Sequence, residues 1–231
     1  MPGMRKSLAI AAIAGLVAAC TSQPPLSPDT GGGAPPEFPE AYYRQAAAGG
    51  ARVLRVDPAA SLVVIEVRRG GSLARLGHDH VVASHDVQGY VAPDAGRADL
   101  YVRLDRLVVD EPALRIEAKL DTQPTADEVA GTRRNMLNTL EAARHPYALV
   151  SVTGRVGGGG ETAMRVAVTL HGVTRALEVP VRVDVGADAI EVSGRLTLKQ
   201  TDFGMTPMSV LGGAIQVQDP VELRFRVRAR P

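Results

Sequence analysis

Val221-Glu222-Leu223-Arg224-Phe225-Arg226-Val227-Arg228 makes every second residue apolar and every other one charged. Successive side chains of a β-strand point to opposite faces, so this stretch has one face for an apolar interior and one for water. The same period recurs upstream. Leu177, Val179, Val181 and Val183 alternate with Glu178, Pro180, Arg182 and Asp184. Leu100, Val102, Leu104 and Val108 alternate with Asp99, Tyr101, Arg103 and Asp105, and Leu114, Ile116, Ala118 and Leu120 with Arg115, Glu117, Lys119 and Asp121. Further strands are predicted at about residues 62–68, 82–91, 147–156, 164–171 and 190–199. Turn signals separate them at Pro93-Asp94, residues 157–160, Gly172 and Gly186-Ala187-Asp188. The glycine run 157–160 lacks the Lys-Ser/Thr of a phosphate loop and reads as a hairpin. Many short antiparallel strands at this spacing indicate an all-β sandwich or closed barrel.

One segment breaks the period. Thr125-Ala126-Asp127-Glu128 fits a capping box, in which the N-cap threonine hydroxyl and the carboxylate at the third helical position satisfy each other's backbone N–H groups. Val129, Met136, Leu137 and Leu140 follow at helical spacing, and His145-Pro146 closes the run. A single amphipathic helix in such a chain is predicted to lie across one end of the barrel.

The N-terminus reads as an export signal. Arg5 and Lys6 precede an uncharged apolar run over residues 8–18, and Ala18-Ala19 lead into Cys20. The run is too short to span a bilayer, which takes about 20 apolar residues. Leu16-Val17-Ala18-Ala19-Cys20 resembles the bacterial lipobox, whose cysteine is acylated and becomes the first residue of the mature chain. Cys20 is the only cysteine of the chain, so no internal disulfide is available and the fold must hold by its core. Cleavage removes two basic residues and leaves 24 against 25 acidic ones. Both signs are interspersed, which argues against a nucleic-acid partner and against electrostatic docking on anionic lipid; membrane contact is assigned to the acyl chains. Thr21-Ser22 after Cys20 put no aspartate at the retention position, so the periplasmic face of a Gram-negative outer membrane is the expected location. The predicted organisation is signal peptide 1–19, acylated Cys20 with a Pro/Gly-rich flexible linker to residue 50, and one domain over 51–231. Residues 41–48 can form a brief helix, with no partner face evident.

Chemistry-bearing residues are few. His78, His80 and His85 fall within eight positions, and His78 and His80 project to one face if the segment is a strand. Three roles stand open: ordering a turn, meeting a polar head group, or holding a metal or haem. A zinc site needs at least three protein ligands, and His171 supplies one only if the fold brings it near. Gly77 suggests a turn conformation. Asp202 reads either as a general base or as a carboxylate capping the turn after it. No Gly-x-Ser-x-Gly elbow is present, the one cysteine is the anchor, and no cofactor is implied, so the chain reads as non-enzymatic.

Over residues 53–228 the sequence resembles the YceI-like family. The resemblance rests on Thr169-Leu170-His171-Gly172-Val173-Thr174-Arg175, on Thr201-Asp202-Phe203-Gly204-Met205, on Met136-Leu137 ahead of Ala142-Ala143-Arg144-His145-Pro146, and on Asp57 and Ser61 before the first aliphatic strand. The region Leu76-Gly77-His78-Asp79-His80 departs from the commoner His-Leu-Gly-Ser pattern and looks like a subgroup with a Gly-His-Asp-His signature. The resemblance implies a lipocalin-like antiparallel barrel of about eight strands that carries an amphiphilic, isoprenoid-like lipid in an elongated apolar channel. A barrel of this size either fills with side chains or holds one ligand. Three Phe, five Tyr and no Trp in the whole chain leave its inward faces almost wholly aliphatic. Val63, Ile65 and Val67 are the expected lining, with His78, His80 and His85 as head-group contacts. Val64, on the opposite face, is expected to matter less. The alternative is a metal- or haem-binding envelope protein centred on His78 and His80.

Overall fold

The computed structural model describes residues 33–154 and 159–231. The expected signal peptide, Cys20 and the first part of the predicted linker, to residue 32, lie outside these residues, as do residues 157 and 158 of the predicted turn. Eight antiparallel strands close into a barrel. They are β1, in two segments (Leu54–Val56 and Leu62–Val67); β2, also in two (His80–Ser84 and Val87–Ala92); β3 (Arg97–Arg103, then Val108–Val109); β4 (Tyr147–Thr153); β5 (Gly160–Leu170); β6 (Val173–Val185); β7 (Ile190–Lys199); and β8 (Pro220–Arg230). Each pairs with the next in sequence, and β8 returns to both segments of β1, with Arg55 opposite Arg230 and Ile65 opposite Leu223. Closure leaves only the short Val108–Val109 segment as an edge of the main sheet among the described residues. The predicted barrel is therefore present, and the alternation of β6, β7 and β8 is its cause.

The interruptions explain where the sequence pattern slips. A 3-10 turn at Leu104–Arg106 shifts the phase of β3 by one residue. Val109, not Val108, then faces the interior, and Val108 is left exposed. Residues 114–120 are not a strand. Pro112–Glu117 forms helix α2, with Pro112 in the first turn, where its missing N–H costs nothing. Leu114 and Ala118 are four residues apart, so they share one helix side and pack on Val64, Val81 and Ala83 of the barrel's outer face, while Ile116 is exposed. Val64 is consequently fully buried under α2, a correction to its reading as the more tolerant face.

Helix α3 (Ala126–Thr139) carries the predicted capping box: Glu128 N–H donates to Thr125 Oγ1 at 3.3 Å, and Thr125 N–H donates to Glu128 Oε2 at 2.7 Å. Its Leu137, with Met136, Leu140 and Ala142 beyond, packs on Leu104, Leu107 and Val109 across one end of the barrel. Two connections fold over the same end. Residues 69–70 from the β1–β2 loop join Ser209–Val210 and Ile215–Val217 from the β7–β8 loop in a small three-stranded sheet. In the β7–β8 loop the turn at residues 200–203 is held by Asp219, whose carboxylate accepts from Thr201 N–H at 2.8 Å and Oγ1–H at 2.7 Å. Asp202 contributes its main-chain carbonyl to Arg175 Nε, so the capping role expected of it belongs to Asp219.

The predicted linker ends earlier than residue 50. Helix α1 (Glu40–Ala48) docks on the outer face of β2–β4. Phe38 and Tyr43 are buried there, with the Tyr43 ring stacked 5.2 Å from Tyr90 and Phe38 edge-on to Tyr101 at 4.9 Å. Tyr43 OH donates to the buried Asp99 carboxylate at 2.7 Å, which also accepts from Arg97 Nε and from Ser151. Burial, and then Asp99, push the Tyr43 phenol far above its usual pKa. No helix among the described residues is long and apolar enough to cross a membrane.

Candidate functional site

Cross-strand partners share a face, so the register defines the lumen. Val63 stands opposite Phe225 and Ile65 opposite Leu223 on one side, while Ile65 meets Val82 and Val67 meets His80 on the other. Val63, Ile65 and Val67 therefore point inward, as their alternation predicts. The lumen wall continues through Leu196 and Val192 of β7 and Leu177 and Val166 on β6 and β5. Phe225 is the only aromatic residue among these inward positions.

The two ends of this interior differ. At the end away from α3, Leu54, Val183, Ile190 and Ala229 are each at most 2% exposed and form a closed, packed floor. Towards α3, Val63, Ile65, Val67, Leu196, Leu223 and Phe225 are only half-buried. These inward-facing aliphatic side chains thus retain accessible surface that those of the floor do not.

The polar groups gather at the α3 end. His80 faces inward beside Val67, and its Nδ1 lies 2.6 Å from Asp110 Oδ2. Asp110 follows β3 with a positive φ of 58° and has a fully buried side chain. It also accepts from Val81 N–H at 3.1 Å and from Arg115 Nη1 at 2.5 Å. Arg115 reaches in from α2, is 3% exposed, and donates a further bond to the Asp79 carbonyl at 2.8 Å. Burial opposes ionisation of Asp110, but the bonds from His80, Arg115 and Val81 outweigh it and hold its pKa below the usual carboxylate value. The result is a rigid, charge-balanced support under an imidazole that looks into the lumen.

His78 lies next to this support, its ring 6.1 Å from that of His80, and its Nε2 is 3.3 Å from Glu128 Oε1 at the start of α3. Asp79 turns away to accept from Arg69 N–H at 2.8 Å. Gly77 has φ −104° and ψ −176°, an extended conformation open to any residue, so the expected glycine-specific turn is absent. His85 is not gathered with the other two. It sits at the break in β2, half-exposed, with Nε2 2.7 Å from Glu111. His171 stands elsewhere on the same end, against Phe203 O at 3.1 Å and Glu141 at 3.4 Å. Among the described residues no three His, Cys, Asp or Glu side chains assemble into a metal-holding group, so the metal alternative finds no support in the geometry. Asp110 and Arg115 were not legible as site residues. Pro112, a first-turn signal directly after Asp110-Glu111, was the available hint that a helix starts there.

The chain is an eight-stranded closed antiparallel barrel with an aliphatic interior, one packed floor and a polar, helix-covered end, a size of barrel that either fills with side chains or holds one ligand. The model of the YceI-like domain matches residues 54–229, and the chain belongs to that family. Among solved structures, it is similar to a polyisoprenoid binding domain from Saccharophagus degradans implicated in plant cell wall breakdown, at TM-score 0.55 and 16% identity, covering 77% of this chain and 97% of that one. It is also similar to BcnA of Burkholderia cenocepacia, at TM-score 0.48 and 16% identity over 75% of this chain and 98% of that one. A search of curated proteins finds no match.

Proposed function

We propose that this protein binds and carries an amphiphilic, isoprenoid-like lipid, with its tail in the barrel lumen and its head group at the His78–His80 end. The observation that carries the reading is the aliphatic, half-buried inner wall above a fully packed floor. Each methylene moved from water into that lumen contributes about 0.8 kcal/mol. A chain of some fifteen carbons therefore gains several kcal/mol after its lost freedom is charged against it. The shared fold with a polyisoprenoid binding domain supports the same ligand class. His80, fixed by Asp110, supplies a hydrogen-bonding group to a polar head without itself leaving the wall.

The chain is further proposed to act in the envelope of a Gram-negative bacterium, anchored at the periplasmic face of the outer membrane through acylated Cys20. With residues 35–48 belonging to the folded body, the tether is the stretch from Cys20 to about residue 34. No catalytic step is assigned. Native mass spectrometry of the chain purified without detergent tests the reading: a co-purified or added isoprenoid should appear as a mass increment at one per chain. Absence of both would refute it. A Cys20→Ser variant should move from the membrane to the soluble fraction, and unchanged membrane retention would refute the anchor.

A further inference from the structure

On the outer face of the barrel wall, across β6, β7, β8 and β1, lies a groove of about 710 Å³. Two rows of outward side chains form its bed. One reads Arg182, Ser193, Arg226 and Leu62 across the four strands; the other sets Arg195 opposite Arg224 and Arg224 opposite Val64. Between the rows, a Cβ on Gly194 would stand 2.8 Å from the Phe225 ring, so that ring lies directly against the β7 backbone beneath the groove. Glu117 of α2 and Glu161 of β5 form parts of the walls.

The charges here are poorly balanced. Arg195 and Arg224 are directly opposite like charges, an arrangement that destabilises a strand pair. Arg224 is paired with Glu117 at 2.9 Å, and Arg182 approaches Asp184 at 3.3 Å. Among the described residues, Arg195 and Arg226 have no ion-pair partner. Acidic rows bound the band on both sides, Glu66 opposite Glu222 on one and Asp184 opposite Glu191 on the other. The cationic strip is thus only two outward positions deep, about 7 Å along the strands. That excludes a long polyanion running along the sheet and suits one compact group.

We infer that this groove is a binding site for a phosphate- or diphosphate-bearing ligand, with Arg195 and Arg226 as its principal contacts. Guanidinium groups present paired N–H donors that match phosphate oxygens, and an anion between Arg195, Arg224 and Arg226 relieves their mutual repulsion. Leu62 and Pro180 offer apolar surface to whatever carries the phosphate. The site lies on the other side of the wall from the lumen and stands independently of lipid binding there. The phosphate belongs either to a free small molecule or to a lipid head group.

Isothermal titration of the full chain with inorganic diphosphate, alongside co-sedimentation with phosphatidylglycerol vesicles at low salt, separates these sources. Wild type should bind at least one probe. An Arg195→Ala/Arg226→Ala variant should lose at least tenfold in that affinity with an undiminished melting temperature, whereas Arg228→Ala, outside the groove, should stay within twofold. Loss confined to diphosphate marks a free ligand, and loss confined to vesicles marks a head group. If the double variant binds both probes like wild type, or wild type binds neither, the assignment is wrong.

Discussion

Replacing Asp110 by asparagine removes the charge that holds the polar end of the lumen together. The side chain is fully buried and faces Arg115 at 2.5 Å and His80 at 2.6 Å, and Arg115 is itself 3% exposed. Breaking a buried pair by neutralising one partner typically costs about 3–5 kcal/mol, because the other charge stays buried without compensation. One kcal/mol lowers Tm by roughly 2–4 °C in a domain of this size, so the variant should melt about 6–20 °C below wild type. Removing both charges, as in Asp110→Asn/Arg115→Met, should recover much of that loss. The pH dependence follows from the depressed pKa of Asp110. The unfolded carboxyl holds its proton more tightly than the folded one. The stabilisation is therefore complete above the unfolded value of about 3.9 and is lost as pH falls through the lower, folded pKa. Asp110→Asn should flatten that acid limb. Urea unfolding at pH 7 and at several acid pH values reads all three effects. A single variant within about 0.5 kcal/mol of wild type, with an unchanged acid limb, would refute the role given to this network.

Three further outcomes are expected from the packing. Tyr43→Ala should cost about 3–5 kcal/mol, since it removes a buried ring from Tyr90 and a donor from Asp99; unfolding curves identical to wild type would mean that α1 does not belong to the domain. Leu114→Ala should cost about 2–5 kcal/mol by opening a cavity over Val64, Val81 and Ala83, and chemical denaturation would show it; a neutral result would detach α2 from the barrel. Gly172→Ala should cost more than about 1 kcal/mol, because Gly172 has φ +73° and an added Cβ would stand 2.7 Å from the His145 ring; a stable variant in a thermal melt would contradict the tight β5–β6 turn.

The barrel was legible where strands run uninterrupted. In β7 and β8 the period of two holds for ten residues, and every Val, Leu, Ile and Phe there falls on the inward face, as do Leu177, Val179, Val181 and Val183 of β6. His171 and Gly172 both take positive φ, 53° and 73°, which is the two-residue hairpin geometry matching strand twist, so that motif too carries its structure locally. The sequence was ambiguous where both periods fit. Leu114, Ile116, Ala118 and Leu120 alternate like a strand, yet Leu114 and Ala118 are also helical neighbours, and the apolar outer patch of Val64, Val81 and Ala83 decides between them. That patch is invisible without the fold, as is the seat of Tyr43 on Tyr90, 47 residues downstream. The histidines show the same limit. Their spacing suggests a cluster of three, but their partners Asp110, Glu111 and Glu128 come from 26 to 50 residues away, and while His78 and His80 stay neighbours, Glu111 holds His85 apart.

The central claim is that the lumen takes an apolar tail, and the most direct measurement is equilibrium binding of geranylgeraniol to the wild-type chain and to two tryptophan variants. Leu196 points into the lumen opposite Leu223, while its neighbour Thr197 points outward and is exposed. The account predicts saturable one-to-one binding by wild type, its loss in Leu196→Trp through filling of the lumen, and its retention in Thr197→Trp. Equal binding by the two variants, or none by wild type, would contradict it.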